Sequence, residues 1–96
     1  MKALVLITDS EAMKAFERAF VESGDRGFTI VPTVIGRGKT GLKAGDRVHP
    51  GGSSLLFTVL AEGDVEDTLA FVRGVRDVAG VREQTKLYLA PVEEVS

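Results

Sequence analysis

The chain has no cysteine and no tryptophan, one histidine, one tyrosine and three prolines in 96 residues. Without cysteine there is no disulfide, no thiolate metal site and no cysteine nucleophile, which fits a cytoplasmic protein. With His49 as the sole imidazole, a metal site would need acidic ligands or symmetry-related copies, so His49 reads as an exposed loop residue and no metal site is expected. Long apolar runs are also missing. None approaches the ~20 residues of a membrane span, so no direct membrane insertion is expected. The short apolar run after Met1-Lys2 ends at Thr8, too early for a signal-peptide core with its cleavage site. A formal net charge of −2 argues against nucleic-acid binding.

What remains is ordinary for a small soluble protein: 44% hydrophobic and 27% charged residues. The length suits a single domain spanning 1–96, able to bury roughly 60–65% of its unfolded surface. Charge is unevenly spread. The segment 36–52 holds four of the twelve basic residues and one of the fourteen acidic ones, so it carries +3 and the rest −5. Six of its seventeen residues are glycine. A loop this long in so small a domain is usually functional or disordered.

Apolar periodicity gives the elements around that loop. Ala3-Leu4-Val5-Leu6-Ile7 reads as a strand buried on both faces. Thr8-Asp9-Ser10-Glu11 reads as a capping box for a helix to about Ser23, with Met13, Phe16 and Phe20 on one face. Phe28 to Ile35 is a second strand, and Pro32 within it marks an edge or a bulge. Ser54 to Ala61 is a third strand, Ser53 and Ser54 having no catalytic partners at recognisable spacing. Asp64 then caps a second helix whose inner face is Val65, Leu69, Val72 and Val75. Gly74 weakens it by about 1 kcal/mol relative to alanine. Thr85 to Ala90 is the last strand. The order is βαββαβ: an α+β, ferredoxin-like sandwich with a four-stranded antiparallel sheet and two helices on one face. Both faces of its central strands are apolar, so the face without helices needs a cover, and a homo-oligomer is expected.

Chemistry-bearing motifs are weak. Gly36-Arg37-Gly38-Lys39-Thr40-Gly41 matches G-x-G-x-x-G literally, but no helix start follows and the chain is too short for a dinucleotide-binding domain. Gly38-Lys39-Thr40 fails as a P-loop because the earlier glycine falls on Thr33. Glycine N–H groups with Arg37 and Lys39 could cradle an anion, and the same residues read equally as a solvated, flexible loop. Asp9, Glu11, Asp64, Glu66 and Asp67 read as helix caps, and no catalytic residue declares itself.

The element order, the long loop opened by Gly36-Arg37, and the run Lys86-Leu87-Tyr88-Leu89-Ala90-Pro91-Val92 together resemble the PII and PII-like signal-transduction proteins, as a short and divergent member. Gly27 to Gly38 looks like the family's second strand entering its T-loop. The resemblance implies a non-enzymatic homotrimer that binds ATP or ADP, as a ligand rather than a required cofactor, in clefts between subunits. It implies nucleotide contacts at Gly36, Arg37, Gly38 and Lys86, and a protein target, a transporter or an enzyme, met by the loop through Lys39, Lys43 and Arg47. The alternative on the same fold is a CutA-like or metal-responsive trimer. A small phosphatase is disfavoured because the turn Thr8-Asp9-Ser10-Glu11 is acidic and would repel phosphate. The chain departs from the PII pattern in three places. Gly38 stands for a glutamine and Glu83-Gln84-Thr85 for a glycine-rich turn, and with Val95-Ser96 as the last residues the family's C-terminal arginines are expected to be missing. Tyr88, the only tyrosine, lies in the last strand, which excludes uridylylation of a loop tyrosine.

Overall fold

The computed structural model describes residues 1–34, 36–38, 41–43 and 52–96, and the side chains of these outside 33–43. The elements are β1 (Lys2–Asp9), α1 (Ser10–Ser23), β2 (Thr29–Val34), β3 (Gly36–Gly38), β4 (Gly41–Lys43), β5 (Ser53–Leu60), α2 (Val65–Ala79) and β6 (Lys86–Pro91). β2, β5, β1 and β6 form one sheet in that order, every neighbouring pair antiparallel. This is the ferredoxin-like α+β arrangement the element order predicts.

Alternation decides which strand residues meet the helices. Leu4 and Leu6 of β1 and Leu56 of β5 are fully buried, and they join Met13, Phe16 and Phe20 of α1 and Val72 of α2 in one cluster. The three α1 residues stand three and four apart, so one helical face carries them all. Phe20 sets its ring edge against Phe71 at 5.2 Å and lies 5.5 Å from Phe28. Each buried phenylalanine is worth about 3–5 kcal/mol against truncation to alanine, a large share of a small domain's stability. Arg26 closes this end: it stacks 4.3 Å over Phe71 and donates to Thr68 at 3.1 Å and Asp67 at 2.8 Å.

Both helices end in glycine. Gly24 and Gly80 take positive φ, and their N–H groups bond Val21 and Asp77 carbonyls. That conformation is open to glycine at no steric cost, which fixes where each helix stops.

Four expectations need correction. The capping box does not form. Strand β1 runs on to Asp9, Thr8 points into the core to bond Thr85 at 3.0 Å, and Glu11 pairs with Lys14. Alternation after Leu4 and Leu6 carries Thr8 inward, and a buried hydroxyl needs a core partner more than a helix needs a cap. Asp64 occupies the N-cap position of α2 with no capping bond from its side chain, because a 3-10 turn at Glu62–Asp64 precedes the helix. The segment after β2 is not wholly irregular: β3 and β4 pair antiparallel, with Arg37 opposite Leu42. Finally, β1 is fully buried on one face only; Val5 and Ile7 remain partly exposed.

Candidate functional site

Two features stand apart from the folding core. The first is the sheet face opposite the helices. Strand register aligns Thr29, Phe57, Val5 and Tyr88 as one row across all four strands. The next row is Val31, Leu55, Ile7 and Lys86, and Val59, Ala3 and Ala90 make a third. Phe57 is 37% exposed, Val31 39%, Val59 50% and Tyr88 55%. Apolar side chains thus stand side by side on the face that neither helix covers, with Thr29 and Lys86 at its edges.

The second feature is the end of the sheet where β1 finishes. Asp9 pairs with Ser53, Ser53 with Val34, and Ile7 with Lys86. The root of segment 35–51 and Lys86 therefore lie at the same end of the sheet, on its two outer strands. Three interstrand spacings separate those strands, about 14 Å. Gly36, Arg37 and Gly38 form β3, and Lys43 ends β4. Lys39 and Arg47 lie outside the described residues, as do the side chains of Arg37 and Lys43. Lys86 is exposed on the uncovered face. Within one chain the β2 end that leads into the segment and Lys86 thus share an end of the sheet but stay on opposite edges.

A band of hydroxyls closes this end from beneath. Thr85 donates to the Val81 carbonyl at 2.6 Å, which commits its one proton, so Thr8 donates to Thr85. Ser54 donates to the Pro32 carbonyl at 2.5 Å, and Ser10 stands 2.8 Å from Ser54. Sequence reasoning missed these residues. The alternation Leu4, Leu6, Thr8 carried a signal for one of them; the partners 44 and 77 residues away did not.

Nearby, Arg76 donates to Asp77 and holds its carboxyl below the usual carboxylate range, with Arg82 adding its charge. At the opposite end, a pocket of about 310 Å³ is lined by Phe20, Arg26, Thr58, Asp25, Asp64 and Asp67 among others. Its cation is already committed to Asp67, Thr68 and Phe71, and its remaining charges are acidic. An anion would find no counter-charge there. Among the described residues no group of three or more His, Asp or Glu side chains could hold a metal ion, and no helix is long and apolar enough to cross a membrane.

The fold and this site define a ferredoxin-like α+β protein with an uncovered sheet face and a long insertion after the second strand. A solved structure similar to it is CPII, a nitrogen regulatory PII-like protein from Thiomonas intermedia K12, bound to ADP, AMP and bicarbonate. The two share 19% sequence identity over 93% of this chain and 82% of that one, with a TM-score of 0.58. The relationship is one of fold. No family model matches the sequence, and no curated protein matches it.

Proposed function

We propose that this chain is a non-enzymatic, cytoplasmic regulator of the PII-like kind. It assembles as a homotrimer, binds ATP, ADP or a related phosphate-bearing anion between subunits, and meets a protein target, a transporter or an enzyme, through segment 36–52. The carrying observation is the uncovered sheet face together with what stands at its margin. Covering the face with other copies buries the Phe57–Val5–Tyr88 row. It also lets the loop root on the β2 side of one subunit approach Lys86 on the β6 side of another. Neither subunit could build that cleft alone. The nucleotides bound to the structural neighbour, and the basic charge of the segment, support the same ligand class.

In this cleft glycines at 36 and 38 let backbone N–H groups approach phosphate oxygens, while Arg37 and Lys86 supply charge. Each charge-assisted contact to phosphate is worth roughly 1.5–3 kcal/mol. Titration calorimetry with ATP and with ADP tests this. Arg37→Ala and Lys86→Ala should each weaken binding about tenfold or more, since 1.4 kcal/mol is a factor of ten. Lys43→Ala, assigned to target contact, should leave nucleotide affinity almost unchanged. No binding by the unmodified protein at millimolar nucleotide would refute the nucleotide reading.

A further inference from the structure

β2 has an irregularity whose backbone accounting is unusual. Between Val31 and Val34 it advances three residues while β5 advances two, from Leu55 to Ser53. The extra residue makes a bulge. Pro32 sits in it and offers no N–H, and its carbonyl is taken by side chains. Ser54 donates to it at 2.5 Å and Ser10 reaches it at 3.2 Å. Each hydroxyl has one proton: Ser54 commits its own to the carbonyl, so Ser10 donates either to the carbonyl's second lone pair or, at 2.8 Å, to Ser54 Oγ, and in both arrangements it is held to the Pro32–Ser54 pair.

The three partners come from three places. Pro32 precedes segment 35–51, Ser54 follows it, and Ser10 opens α1. Ser10 also donates its backbone N–H to the Gly52 carbonyl at 3.1 Å. One residue therefore grips the chain on both flanks of the segment: the hydroxyl holds the strand before it, directly or through Ser54, and the amide holds the residue after it. Ser54 is almost fully buried, so its hydroxyl has no water to fall back on.

We propose that Ser10 and Ser54 form a two-hydroxyl latch on the Pro32 carbonyl that fixes the β2 bulge and so sets the direction in which the functional segment leaves the sheet. Ser10 and Ser54 are positioning residues: they act on the segment's root, and through Ser10 the root is registered to the amino end of α1. The latch exists whether or not a nucleotide binds, while its consequence for target contact rests on the function proposed above. Alanine at either position removes a hydroxyl without adding volume.

The test is amide hydrogen exchange, measured residue by residue on the full chain as Ser10→Ala, Ser54→Ala and Ser10→Thr. In Ser54→Ala the amides of Val31, Thr33 and Val34 should exchange about tenfold faster, while those of Leu4 and Leu6 keep their wild-type rates. Ser10→Ala should show the same pattern more weakly, because the Ser54 bond to Pro32 survives. Ser10→Thr, which restores the hydroxyl, should return to wild-type rates. Root amides that do not change overturn the latch, and so does acceleration of root and core by one common factor, which reports global destabilisation. If Ser54→Ala does not fold, the Ser10 pair decides by the same criterion. A protein that shows this exchange pattern yet binds no ADP would keep the latch and lose the nucleotide reading.

Discussion

Lys86 follows directly on Thr85, so the hydroxyl pair Thr8–Thr85 anchors the turn that presents it. The pair is buried, Thr8 at 1% and Thr85 at 8% exposure, and its direction is fixed: Thr8 to Thr85, Thr85 to Val81. Valine is close in shape to threonine and lacks the hydroxyl, so three variants dissect the chain. Thr85→Val strands the Thr8 hydroxyl and the Val81 carbonyl together; with about 1 kcal/mol per lost bond and 1–3 for an orphaned buried group, the cost is about 2–3 kcal/mol. Thr8→Val removes one bond and leaves Thr85 donating to Val81, at about 1 kcal/mol. The double variant strands only the Val81 carbonyl. Its cost should be about that of Thr85→Val or less, well below the sum of the two single changes. Urea unfolding at one fixed protomer concentration measures all four proteins, since assembly would otherwise shift the midpoints. Coupling of about 1 kcal/mol is expected. Additivity to within about 0.5 kcal/mol would refute the bond, because independent sites add to that tolerance.

Two further outcomes follow from the helices and the open face. A Cβ built on Gly74 in α2 meets nothing within 4 Å, so Gly74→Ala should stabilise by about 1 kcal/mol, raising the melting temperature by about 4–8 °C in a calorimetric scan. Phe57 leaves over a third of its surface uncovered in one chain, about 75 Å² for a ring of about 200 Å², worth ~2 kcal/mol once buried. Phe57→Glu adds an unpaired charge to that loss, so sedimentation equilibrium at micromolar concentration should find a folded monomer; an unchanged assembly mass would show that this row is not an interface.

Much of the fold is legible because its cause is local. Leu4 and Leu6 alternate, Met13, Phe16 and Phe20 recur at helical spacing, and both patterns point where the core lies. Pro32 was readable as edge or bulge because a missing N–H constrains any ladder, and it proves to be both. Local reasoning failed where a residue had a distant competitor. Thr8 looks like a helix cap beside Ser10 and Glu11, yet it serves Thr85. The β3–β4 pairing was hidden because glycine-rich sequence carries no strand propensity of its own. The candidate site was less legible still. Lys86 and Gly36 to Gly38 came from resemblance, since spacing alone says nothing of a cleft between copies. Ser10 and Ser54 have no signature in any window of sequence.

The central claim is that the uncovered face is an interface between copies of this chain, because the proposed cleft exists only if it is. Light scattering coupled to size exclusion on the unmodified protein tests it most directly. At micromolar concentration the mass should be about three times the 10.3 kDa of one chain. A stable species at 10.3 kDa across that range would contradict the assembly and the cleft together.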